Sequence, residues 1–115
     1  MSEKVCSTKE ADTGWINFTP LISCTVKKCA YRKIGKIVEV IASIHSANVS
    51  SGTLYTLPAG YRPPIMLVSY GGNGHNGRAT PYSRLAIEAT GEVKFVYDGT
   101  GSGNGVDAHI VYMVD

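Results

Sequence analysis

Along residues 36–46 the even positions Val38, Val40, Ala42 and Ile44 are all apolar, whereas Ile37, Glu39, Ile41, Ser43 and His45 between them are mixed. A period of two, rich in β-branched residues, marks a strand with one fully buried face. Three later runs repeat it. Residues 83–89 set Leu85, Ile87 and Ala89 against Arg84, Ala86 and Glu88, and residues 92–97 set Val93, Phe95 and Tyr97 against Glu92 and Lys94. Residues 106–114 set Ala108, Ile110, Tyr112 and Val114 against Asp107, His109, Val111 and Met113. No window of a dozen residues carries the 3.6-residue apolar stripe of a surface helix. Further strands are expected at 14–19, 25–34, 53–57 and 65–70, with hairpin turns at Ile34-Gly35-Lys36 and Thr90-Gly91. Pro58, Pro63 and Pro64 punctuate a loop, since proline cannot donate to a ladder. About eight short strands predict an all-β fold, an antiparallel barrel or sandwich.

A chain of 115 residues and 12.3 kDa suits one domain. Residues 1–13 read as an N-terminal tail or linker and residues 14–115 as the β domain. No apolar run approaches the ~20 residues of a membrane-spanning helix, and residues 1–13 are too polar for a signal peptide, so neither membrane insertion nor secretion is expected. A net charge of +2 does not by itself point to nucleic acid. Five bases (Lys27, Lys28, Arg32, Lys33, Lys36) cluster, but a strand would split them between two faces, which predicts a solvated edge rather than a phosphate-binding patch. Cys6, Cys24 and Cys29 are odd in number and without CxxC spacing, and His45, His75 and His109 are scattered. Free thiols, no metal and no cofactor are expected.

Two glycine-rich segments interrupt the strands, residues 71–77 (GGNGHNG) and 98–105 (DGTGSGNG). Neither ends in the Gly-Lys-Ser/Thr of a phosphate loop, and both read as long loops on a rigid scaffold. Ser83, His75 and Asp98 could be drawn as a nucleophile, base and acid, but no nucleophile elbow surrounds the serine, and Glu39, Glu88 and Glu92 read as ordinary outward strand positions. No enzyme is expected. What remains is a set of amide, charged and aromatic groups on or beside the two segments: Asn73, His75, Asn76, Arg78, Tyr82, Asp98 and Asn104. Such groups exchange hydrogen bonds with sugar hydroxyls while a tyrosine ring covers the apolar face of a pyranose, so these seven are the candidate saccharide-binding residues. Trp15 reads as a core or interface residue, and His45 and His109 as strand-face residues at a subunit contact.

Four strings in order carry a family resemblance: Asp12-Thr13-Gly14-Trp15-Ile16-Asn17, Tyr31-Arg32-Lys33-Ile34-Gly35-Lys36-Ile37-Val38, Thr56-Leu57-Pro58-Ala59-Gly60-Tyr61-Arg62-Pro63, and a Gly91-Glu92-Val93 hairpin before the terminal strand. Together they resemble the C-terminal head domain of phage tail receptor-binding proteins and tail fibres, especially those of siphophages and prophages of Gram-positive bacteria, over residues 12–115. The resemblance implies a homotrimeric β head at the tail tip of the virion, assembled in the bacterial host cytoplasm beside other tail or baseplate proteins. It implies attachment to host cell-wall polysaccharide without catalysis; no nucleic-acid partner and no membrane insertion are expected. About a dozen residues precede the expected head, without the collagen-like or coiled-coil stem of many relatives. A purely structural trimeric tail or baseplate module, and a glycan-degrading enzyme, are the alternative readings.

Overall fold

A computed structural model of the chain describes residues 11–47, 49–73, 79–98 and 105–115, with the backbone alone at 73 and 79–82. The described residues form eight strands and no helix: β1 (Ile16–Asn17), β2 (Thr25–Ile34), β3 (Ile37–His45), β4 (Ser51–Thr56), β5 (Leu67–Asn73), β6 (Ala79–Ile87), β7 (Glu92–Tyr97) and β8 (Gly105–Met113). All pairings are antiparallel, in one sheet of order β1-β2-β3-β8-β5-β6-β7-β4. The fold is thus all-β, a single curled sheet resembling half a barrel.

The alternation places the core. Val38, Val40, Ala42 and Ile44 of β3, Leu85 and Ile87 of β6, Val93 and Phe95 of β7 and Val106 of β8 are fully buried on the concave face. Each large side chain removed from water in this way contributes about 1.5–3 kcal/mol. The curl brings the inner faces of the two flanks together. Phe18 stacks on Tyr55 of β4 at 4.7 Å between ring centroids, and Tyr31 of β2 lies 5.6 Å from Tyr55. Their hydroxyls meet at 3.3 Å. Beside them the Leu21 amide donates to the Leu54 carbonyl at 3.0 Å, tying the β1–β2 connection to the far edge strand.

The proline-punctuated loop is anchored by side chains from three directions. Tyr61 packs edge-on against Tyr31 at 5.2 Å, and the Tyr112 hydroxyl donates to the Tyr61 carbonyl. Arg62 Nε donates to the Leu57 carbonyl at 3.0 Å and Lys33 Nζ to the Gly60 carbonyl at 2.8 Å. Gly60 has φ of +92°, a left-handed conformation that disfavours any residue with a Cβ. Both expected hairpins form, Ile34 pairing with Ile37 around Gly35 and Ile87 with Val93 around Gly91.

One boundary differs instructively. Gly71, Gly72 and Asn73, expected in a loop, belong to β5, and β6 begins at Ala79 rather than 83. The register slips between Tyr70 and Gly72, after which β5 pairs with β6 and β8 at once (Gly72 with Thr80 and Val106, Asn73 with Ala79 and Gly105). A Cβ on Gly71 would drive into the Asp107 carbonyl oxygen. Here glycine permits close approach of two backbones instead of marking a loop.

Candidate functional site

Strand direction sorts the chain into two ends. At one, Gly35 turns β2 into β3, Asp12 bridges to Ile34, the Gly35 amide donates to the Ala11 carbonyl at 3.0 Å and the Val114 amide to the Lys36 carbonyl at 2.8 Å. Both the first and the last described residues therefore lie there. At the other, β5 ends at Asn73, β6 begins at Ala79, β7 ends at Tyr97 and β8 begins at Gly105. The β3–β4 connection reaches the same end, where the Tyr97 amide donates to the Ser50 carbonyl at 2.7 Å. The nine residues of β8 separate the ends by about 30 Å.

The two glycine-rich segments thus leave the sheet side by side: Asn73 pairs with Gly105, and Ser83 at the head of the β6–β7 pairing faces Tyr97, next to Asp98. Of the seven candidate residues, the sheet places the Asn73 and Tyr82 backbones and Asp98 at this end. His75, Asn76, Arg78 and Asn104, and the side chains of Asn73 and Tyr82, lie outside the described residues.

Asp98 has a partner that the sequence did not suggest. Its Oδ2 accepts from Arg84 Nη1 on the convex face, and the aspartate side chain remains 59 % exposed. Arg84 stands opposite Tyr70 in the β5–β6 register, and Tyr70 is 71 % exposed. Neither was singled out in the sequence. Strand alternation alone places Arg84 outward, but pairing it with Tyr70 requires the register across the bulge. The paper triad dissolves. Ser83 is fully buried among core positions, its hydroxyl without a hydrogen-bond partner among the described residues, whereas Asp98 is bound to Arg84 on the opposite face.

The convex face of β2, β3 and β8 forms a second surface. Glu39 accepts from Arg32 Nε at 2.7 Å and meets His109 Nε2 at 2.8 Å. These two hydrogen bonds, Arg32 foremost, hold the Glu39 carboxyl below its ordinary pKa. Around them Ile37, Val111 and Met113 are exposed, and Ile34, Lys36, Ile37 and Met113 line a depression of about 300 Å³. Trp15, 37 % exposed, has the Arg32 guanidinium 4.7 Å and the Lys28 ammonium 5.8 Å from its ring centroid. Ala30, between those two residues on the same face of β2, is fully buried. The basic cluster does divide: Lys28 and Arg32 flank Trp15, while Lys33 reaches the Gly60 carbonyl and sits 5.4 Å from the Tyr61 ring centroid.

Cys24 and Cys29 are free thiols, and burial raises both pKa values, that of Cys29 to about 11. Among the described residues no group of three or more His, Cys, Asp or Glu side chains could hold a metal ion. No known protein-family model and no curated protein matches the chain.

Proposed function

We propose that this chain is a phage receptor-binding head that attaches to a host cell-surface saccharide without chemistry, as a homotrimer at the tail tip. The observation that carries the reading is polarity. Both glycine-rich segments leave the sheet at one end, while the first described residues join it at the other, about 30 Å away along β8. A head that receives its stem or baseplate partners at the entry end turns the end of β5, the start of β6 and Asp98 after β7 toward the cell. Loops on a rigid sheet suit recognition without a catalytic constellation.

A second and third copy of the chain would cover the convex face of β3 and β8. Ile37, Ile41, Val111 and Met113 supply apolar surface there, and both Glu39 oxygens already have partners, so the face can be dried without stranding a lone carboxylate. One shallow sugar site binds near the millimolar range, about 4 kcal/mol, and three copies on one body raise this by orders of magnitude. Two measurements test the reading. Light scattering should return about three times 12.3 kDa at micromolar concentration. Fluorescently labelled protein should bind Gram-positive host cells and lose that binding when wall polysaccharide is stripped; binding that survives stripping refutes saccharide recognition.

A further inference from the structure

We infer that Tyr70, Arg84 and Asp98 form a stacking platform for a neutral hexopyranose on the convex face beside the glycine-rich segments. This rests on the receptor-head reading and names the sugar class and residues of that site.

Tyr70 is the most exposed aromatic side chain among the described residues, at 71 %. Tyr31 and Tyr112 are buried, and Tyr55, Tyr61 and Tyr97 pack against the core. The Tyr70 ring therefore stands outside the core, and Val68, two residues earlier on the same face, is exposed as well. Its placement is built. The register slip at Gly71 follows immediately, and such bulges re-aim side chains beside functional sites. The glycine cannot carry a side chain without striking Asp107, so no neighbour at 71 crowds the ring.

Polar groups for the sugar edge stand next to it. Arg84 is the direct cross-strand partner of Tyr70, a position where Cβ atoms lie about 5 Å apart. The Arg84 guanidinium is fixed by Asp98, one of the seven sequence candidates. The pair offers spare N–H donors and carboxylate acceptor capacity within reach of one hydroxyl-bearing edge. Its charges cancel, and in the adjoining row Lys94 is 3.7 Å from Glu88, a second balanced pair. An anionic sugar or a phosphate would have to displace Asp98 from Arg84 or lie against its negative charge. A neutral pyranose, whose hydroxyls both donate and accept and whose C–H face is apolar, matches ring, donors and acceptor together.

The test is NMR titration of ¹⁵N-labelled protein with methyl glucoside, methyl galactoside and methyl N-acetylglucosaminide, and with glucuronate and glycerol phosphate as anionic probes. The inference expects saturable shifts with at least one neutral glycoside, centred on Tyr70, Arg84 and Asp98. Tyr70→Ala should weaken that binding about tenfold or more, whereas Tyr70→Phe, which keeps the ring, should stay within about threefold. Because Tyr70 is exposed, both variants should give the wild-type amide spectrum outside the platform. Binding of neutral glycoside undiminished in Tyr70→Ala overturns the platform and leaves the receptor-head reading standing. Binding of the anionic probes alone overturns the sugar class. Absence of binding by all five overturns the platform, and the stripped-cell assay then decides the receptor-head reading separately.

Discussion

Replacing Gly71 by alanine tests how the glycine-rich segment builds the sheet. Gly71 does not need left-handed backbone; its φ is not positive, unlike those of Gly35, Gly60 and Gly91. Its demand is for space. The alanine Cβ would penetrate the Asp107 carbonyl oxygen and sit 3.1 Å from the carbonyl carbon, and a backbone atom cannot rotate away. β5 must then separate from β8, surrendering the pairings of Gly72 with Val106 and Asn73 with Gly105. At about 1 kcal/mol net for each pairing, plus about 1 kcal/mol of overpacking strain, the loss is about 3 kcal/mol. Unfolding entropy near 2.1 cal/mol/K per residue gives a chain of 115 residues about 0.24 kcal/mol/K, so Tm should fall by about 12 °C. Circular dichroism melts at fixed protomer concentration measure it. Gly52→Ala is the matched control: its Cβ would meet Ile22 Cγ2 at 2.5 Å, the end of a side chain that can turn aside, and should cost less than about 4 °C. Equal shifts in the two variants would refute the close-approach reasoning.

Other outcomes follow from single residues. Gly60→Val should destabilise by about 1–3 kcal/mol through its φ of +92° alone, since its Cβ would meet only Lys33 Nζ at 3.8 Å; an unchanged melting temperature would contradict this. Glu39 has a depressed folded-state pKa, so its contribution should be complete above its ordinary value near 4.5 and vanish as pH falls through the lower folded value. The stability gap between wild type and Glu39→Gln should therefore close on acidification, and a gap that widened would reverse the assignment. With its thiol pKa pushed to about 11 by burial, Cys29 should resist iodoacetamide at pH 8 in the folded protein and react after denaturation, as read by mass spectrometry.

The strand pattern was readable because burial on one face leaves a period of two in the sequence: β3 and β8 alternate residue by residue as expected from Val38–Ile44 and Ala108–Val114. What could not be read is order across the sheet. Nothing local to β3 or β8 says that they are neighbours, since 59 residues lie between the end of β3 at His45 and the start of β8 at Gly105. Gly71 misled for a physical reason: glycine marks a flexible loop and a tight backbone approach with the same letter. The site was half readable. Composition drew attention to Asp98, but its Arg84 partner and the Tyr70 ring opposite Arg84 follow from register, which local composition does not encode.

At its glycine-segment end this chain is proposed to hold a saccharide without transforming it. The most direct test of that proposal is calorimetric titration of the protein with purified wall polysaccharide from a Gram-positive host, with Asp98→Ala in parallel. The variant removes a carboxylate that is mostly in solvent, so the fold should persist, and a hydrogen bond to a charged group is worth about 1.5–3 kcal/mol. Wild type should bind saturably and release no reducing ends, and Asp98→Ala should bind more weakly by about tenfold or more. Full-strength binding by a well-folded Asp98→Ala protein, or reducing ends that accumulate during the titration, would contradict the proposal.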